Sequence, residues 1–497
     1  MFVLRLVLTS LCLGGFLAHP AYSQSITAEQ VFPVQGYSVF QQGYPPMVAP
    51  AGAGKFLFVE FWKGGNEGRN MDNMYLQQYG FSDYVEHWFH PVTESGQPRL
   101  EVIDLKYLPK SIAVIGHEYD ASSKEVHTVS RWFTHQGEPK TKQTVRLSHY
   151  LKRPRRNYQE SVELSPNRQY LLWWGGDEKM QYASVRDAAG QAVWKDRLQV
   201  PGLKEKYSIS KVLIEDRTAN LVFFLTPKTS STGPANKPLL ISRYLHEEKK
   251  FVTLELANSP ETNAFLPQVA WVKGDLVVAG CEIAFGGGDG LKLGSEESNK
   301  GTINRLQQVF MHRIGGFDKN LDSLTLIRSM VQTFPQKWKE QYAINGTDFH
   351  TSRLLVEGDM ALFMMEEFKV GAKRKLYFYD IGILGFDTQK GEIAWDAILK
   401  KQQRDQGSTA FMSYVSATAK GKLRLIYLTE KGARGKVVCS SFDAWRGTRK
   451  DVVLASNEEA KYFFFPANSG KVGQEQMVLV GMGRPGQNDY KLISVTF

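Results

Sequence analysis

The chain has 497 residues, a formal charge of +10 and three cysteines. At ~150 residues per domain this length predicts three domains, unless the sequence repeats and grows as a single body. The basic excess comes with no nucleic-acid-binding motif, so nucleic acid is not an expected partner.

The first residues, MFVLRLVLTSLCLGGFLAHPAYSQS, place Arg5 before a short apolar run. Ala21 and Ser23 then stand three and one positions before Gln24. This is the pattern of a secretory signal peptide over residues 1–23, cut after Ser23, with a single mature domain over 24–497. The run Leu6–Ala18 is too short to span a bilayer comfortably. Cys12 lies inside that run after Thr9-Ser10-Leu11, a poor context for lipid attachment. No later segment approaches ~20 continuous apolar residues, so no transmembrane segment is expected in the mature chain.

Short runs rich in β-formers then recur along the chain. They start at Phe56, Ile112, Tyr170, Leu221, Leu276, Ala361, Leu423 and Met477, at steps near 55 residues apart from one 85-residue step between Leu276 and Ala361. Each ends in polar or glycine residues, as a strand buried on both faces does, and is about half the length of a buried helix. A strand-like piece and a tight turn precede most runs, as in VELSPNRQ (Val162–Gln169), VAWVKGD (Val269–Asp275) and SATAKGK (Ser416–Lys422). Gly and Asn in those turns supply positive φ. A third strand follows each run, and often a fourth. Gly190–Trp194 and Gly391–Trp395 match there as G-x-x-x-W, each shortly after an aspartate.

A period of four antiparallel strands predicts an all-β chain folded as a β-propeller, with eight blades favoured over seven and over a pair of β-sandwiches. Each small sheet is apolar on both faces and must be covered by its neighbours. The last unit, Tyr462–Phe497, offers three strands, so Ile26–Val34 is expected to supply the fourth and close the ring. In this register a whole blade separates Cys281 from Cys439, beyond the ~7 Å reach of a disulfide, which predicts two free, buried thiols.

The loop after each run leaves from one face, together with the connections between blades, and loops of one propeller face converge on the central channel. Candidate binding-face residues are Glu60, Trp62, His117, Glu118, Glu282, Asp289, Glu366, Glu367, Glu430 and Lys431. A ring of carboxylates suits a cation, or two suit acid and base on a glycan. The plainer reading is that they solvate strand ends or pair with Lys and Arg.

Other motifs are weaker. Lys140–Arg156 carries seven basic residues and no acid, and reads as a solvated loop in preference to a site for an anionic glycan. Asp318–Asp322 opens like a calcium loop but has Ser323 and Ser329 where Gly and Glu belong, so it reads as a turn. Gly286–Gly290 lacks the helix a phosphate cradle needs. His87 and His90 fall on opposite faces of a strand. His117 and His127 face each other across a hairpin, without an evident third zinc ligand. No metal or cofactor is expected. The absence of G-x-S-x-G and H-E-x-x-H argues against the hydrolases that need them.

The stretch from Glu366 to Tyr427 resembles exported repeat proteins of unassigned activity common in Gram-negative Bacteroidota. The likeness rests on Glu366, Tyr379, Asp380, Asp387, Gly391, Trp395, Lys401, Gln403, Ser413 and Tyr427. The chain departs from that pattern in Tyr427-Leu-Thr-Glu430, where the group shows Tyr-Asn-Asp. The resemblance implies a cell-envelope or secreted location and brings no catalytic residue. The reading is therefore an exported, non-catalytic propeller binding a protein or glycan at the cell envelope. The alternatives are a carboxylate-dependent enzyme acting on a glycan or peptide, and a structural subunit marked by a broad apolar patch.

Overall fold

The computed structural model describes residues 25–33 and most of 47–497. Outside it lie 1–24, 34–46, 63–72, 94–99, 148–158, 229–236, 285–305, 407–413, 483–488 and shorter stretches elsewhere. The signal peptide, the glycine-rich segment, the calcium-like turn and most of the basic run thus fall outside the described residues.

Eight antiparallel sheets form a ring; seven are wound in sequence order from first strand to fourth, and the eighth is completed by the strand Ser25–Pro33. The third blade is typical, with strands Gln159–Leu164, Tyr170–Gly176, Gln181–Asp187 and Ala192–Leu198. The second strands are the recurrent apolar runs, and they are buried on both faces: Phe56, Leu57 and Phe58 are each fully buried, as are Leu221, Val222 and Phe223. Alternate side chains of one strand therefore serve two different interfaces. Leu172 and Trp174 pack toward the fourth blade with Phe223 and Tyr244, while Leu171 and Trp173 pack toward the second with Trp132 and Ile115. The core is a set of wedges between blades.

Turn chemistry agrees with the sequence. Lys273-Gly274 and Lys420-Gly421 both take positive φ at each residue, the conformation of a two-residue hairpin turn. The two G-x-x-x-W copies do the same work. Trp194 donates its indole N–H to Ala219 O of the next blade (3.0 Å), and Trp395 donates to Ala444 O of the next (2.8 Å).

The eighth blade takes its outer strand from the chain's beginning. Ser25–Pro33 pairs antiparallel with Asp489–Thr496, Ser25 opposite Thr496. Ser494 Oγ donates to Phe81 O of the first blade (2.7 Å), which joins the ring's two ends. Cys281 and Cys439 are free and buried, in different blades.

Three features differ from expectation. Part of the basic run is not loop, because Val145–Arg146 forms a short fourth strand on the second blade and Leu147 is fully buried. The long step between the fifth and sixth apolar runs contains a helix, Gln336–Ala343. Its Trp338 is fully buried and donates to Asp396 Oδ2 (2.8 Å), lying where any side chain on Gly382 would stand. The sixth blade also gains a fifth strand, Gln403–Gln406, on its lengthened third strand Lys375–Asp387. Among the described residues no helix is long and apolar enough to cross a membrane.

Candidate functional site

The second strands all run toward the face where the second-to-third and blade-to-blade connections emerge, so the residues near their ends collect there. Among the described candidates are His117 and Glu118 in Ser111–Asp120, Glu282 in Asp275–Ala284, and Glu366 and Glu367 in Met360–Gly371. Glu60 and Trp62 stand in the corresponding strand of the first blade, but their side chains lie outside the described residues, as do Asp289, Glu430 and Lys431 entirely.

His117 is half-buried and bonds through Nε2 to Glu160 Oε1, on the first strand of the next blade. Glu160 Oε2 also accepts from Thr128 Oγ1 (2.6 Å) and Trp173 Nε1 (3.2 Å). The Glu160 hydrogen bond raises the His117 pKa against the opposing pull of burial. Burial pushes the Glu160 pKa up, but the bonds from His117 and Thr128 outweigh it and hold the carboxyl below its usual value. The pair is a charge-assisted clamp between the second and third blades.

Glu118 accepts from Arg131 Nη2 (3.1 Å), whose Nη1 donates to Val92 O (2.6 Å) and Thr93 Oγ1 (2.8 Å) at the end of the first blade. Glu282 is buried and accepts from Ser259 N (3.1 Å) and Thr262 Oγ1 (2.9 Å). These carboxylates knit loops to strands.

Glu366 and Lys401 form an ion pair of 2.5 Å with both side chains fully buried. Lys401 Nζ also donates to Gln403 Oε1 (2.9 Å), and Gln403 Nε2 passes the link to Leu428 O of the seventh blade (2.7 Å). Asp380 accepts from Lys401 N (3.1 Å) and from Lys400 Nζ (2.8 Å). Burial pushes the Lys401 pKa down, and Glu366 offsets only part of this. Glu367 is buried beside the pair. The structure thus gathers Glu366, Asp380, Lys401 and Gln403, residues spread over the stretch quoted above, into one buried knot. Asp387 caps the turn before Gly391 through Gln389 N and Lys390 N (both 3.0 Å), and Tyr427 shares a 3.3 Å bond with Ser440. Ser413 lies outside the described residues.

The structure does not bring His117 and His127 together. The register sets His117 opposite Thr128 and Glu118 opposite His127, so the two imidazoles point to opposite faces of the sheet. Among the described residues no cluster of three or more His, Cys, Asp or Glu is placed to hold a metal. Sequence reasoning missed Glu160, Arg131, Ser259 and Thr262, all supplied by another strand, loop or blade with no motif of their own.

The sequence matches no protein-family model and no curated protein. Among solved structures the chain is similar to the Dos1 propeller (TM-score 0.45, 10% identity, 95% of each chain). It is also similar to the polysaccharide lyase Uly1 (TM-score 0.44, 10% identity, 82% of this chain and 93% of that one). A third similarity is to the WD40 domain of SCAP from fission yeast (TM-score 0.38, 8% identity, 95% of this chain and 98% of that one). The protein belongs to the class of β-propellers on the strength of its own eight sheets.

Proposed function

We propose that the protein is an exported, non-catalytic propeller that binds a protein or glycan partner at the cell envelope. The binding face is the one carrying the second-to-third strand loops, to which the sequence assigns Glu60, Trp62, Asp289, Glu430 and Lys431. The observation that supports binding over chemistry is the engagement of the described carboxylates. Glu118 is held by Arg131, Glu366 by Lys401, and Glu282 by Ser259 and Thr262. Groups so committed strengthen a rim and are poorly placed to exchange protons with a substrate.

The second reading, a carboxylate-dependent enzyme acting on a glycan or peptide, rests on the partly exposed His117–Glu160 pair, an acid and a base in contact on the same face. One experiment separates the two. The full chain and a variant carrying Glu60→Gln, Glu430→Gln and Lys431→Gln are used to capture partners from envelope extract and on a glycan array. Saturable capture by the natural chain that the triple variant loses supports binding. Turnover of a captured glycan or peptide that His117→Gln abolishes overturns the non-catalytic reading. Equal capture by both proteins overturns the choice of face.

A further inference from the structure

Three arginines among the described residues are buried: Arg131, Arg243 and Arg424. Arg131 has Glu118 and Arg243 has Glu215 as a carboxylate partner. Arg424 has none. Its side chain is 97% withdrawn from solvent (3% exposed), and it makes a single hydrogen bond, from Nη1 to Ala419 O (2.9 Å). The guanidinium lies over the Phe497 ring at 4.6 Å, and its buried Nε has no hydrogen-bond partner. Two acids whose charge reaches it are occupied elsewhere: Glu475 pairs with Lys420, and Glu357 accepts from Gly421 N. Burying a cation without a counter-ion costs several kcal/mol, and such groups are ordinarily paired.

Arg424 lines a cavity of about 190 Å³ between the seventh blade and Phe497 of the eighth, large beside the ~30 Å³ that one water occupies. The strand register builds its wall. Arg424 stands opposite Ser441, and Ser441 opposite Lys450, so guanidinium, hydroxyl and ammonium form a row across three adjacent strands on one face of the sheet. Directly inward, the next same-face row is Ile426, Cys439 and Val452, which is apolar and ends the pocket. Lys422 adds positive charge, and Asp443 is the only acidic side chain in the lining. Arg449 turns to the other face of the sheet, over Phe442 and bridged by Asp451, and Asp443 caps the turn at Trp445 N and Arg446 N. The pocket opens beside the first-to-second and third-to-fourth turns, on the face opposite the proposed partner-binding face.

We propose that this pocket is a binding site for a tetrahedral oxyanion, phosphate or sulfate, free or as the ester group of a larger molecule. Arg424, Ser441 and Lys450 supply its donors, and the bound anion provides the counter-charge that Arg424 lacks. Donors from three successive strands surround a tetrahedral group better than they match the plane of a carboxylate. This inference is independent of the function proposed above.

The test is thermal denaturation of the full chain in Tris chloride with inorganic phosphate, inorganic sulfate, glycerol phosphate or acetate at matched ionic strength, with calorimetric titration of the same probes. The expected result is saturable stabilisation by phosphate and sulfate, stronger than by acetate. Saturation by glycerol phosphate at lower concentration than by inorganic phosphate identifies an ester as the ligand, and the reverse identifies the free ion. Arg424→Met should weaken half-saturation at least about tenfold, the loss of one charge-assisted bond, and should be no less stable than the natural chain without the anion. Lys450→Gln should weaken it less, and Lys179→Gln on the third blade should leave it unchanged. An equal response from the natural chain and Arg424→Met, or no saturable response at all, overturns the proposal. If Arg424→Met does not fold, Ser441→Ala and Lys450→Gln decide: unchanged half-saturation in both overturns it, and weakened half-saturation in both upholds it.

Discussion

Replacing Arg243 by methionine removes the cation of a buried pair that also joins two blades. Arg243 Nε and Nη2 meet Glu215 Oε1 and Oε2 at 2.6 and 2.9 Å, with the residues 1% and 4% exposed. The same guanidinium donates to Gly316 O (3.0 Å) and Phe317 O (3.3 Å) of the fifth blade. The substitution leaves a carboxylate out of water with only Thr218 and Asn220 as donors, and two carbonyls unserved. Stranding one member of a buried pair costs 3–5 kcal/mol, and a lost neutral bond adds ~1 kcal/mol. We expect a loss of about 5 kcal/mol, a large share of the ~5–15 kcal/mol that holds a domain folded. Combining Arg243→Met with Glu215→Leu should recover most of it, because the charge to be solvated is gone. Guanidinium chloride unfolding followed by tryptophan fluorescence measures both. A cost below ~1 kcal/mol for the single variant, or a double variant as unstable as the two singles summed, refutes the reasoning.

Burial pushes the His312 pKa down to about 4, and its Nδ1 meets only Ser329 Oγ at 3.0 Å. The unfolded chain therefore takes up a proton near pH 6.5 that the folded one refuses. The stability this contributes is full above that pH and falls by about 2 kcal/mol between pH 6.5 and 5. His117, with its raised pKa, contributes in the opposite sense, so the comparison is natural chain against His312→Gln, whose melts should lose that acid slope. Burial raises the Cys439 thiol pKa to about 12 and that of Cys281 further. Neither should react with a thiol reagent at pH 8 until the chain unfolds, when both should label. Trp395→Phe keeps the ring's packing but loses the bond to Ala444 O, for an expected loss of ~1 kcal/mol in thermal unfolding, and Trp194→Phe should behave alike.

Much of the ring was legible because its signal is local and repeated. A run such as Leu221–Pro227, apolar at successive positions, reads as a strand covered on both sides, and the Lys-Gly turns read as hairpins. The closing strand followed from a missing fourth member. The helix Gln336–Ala343 was hidden because QKWKEQYA is polar and short; it is held by Trp338 sinking into the sixth blade, a contact no local pattern reports. Candidate positions were legible as strand ends, but their chemistry was not. Whether Glu366 is a free acid or the partner of Lys401 depends on a fold that brings positions far apart in sequence within 2.5 Å. Arg424 gave no signal because its distinguishing property is a missing neighbour.

The joint between Ser25–Pro33 and Asp489–Thr496 makes completion of this ring a meeting of two strands with all the other sheets between them in sequence. Seven sheets can assemble as they are made, each on the one before, while the opening strand waits with its hydrogen-bonding edge bare. That last annealing closes a loop holding the seven other sheets and should be the slowest step of assembling the ring. At high concentration the waiting strand of one molecule is an equal match for the gap in another, so exchanged dimers are the characteristic error of this architecture.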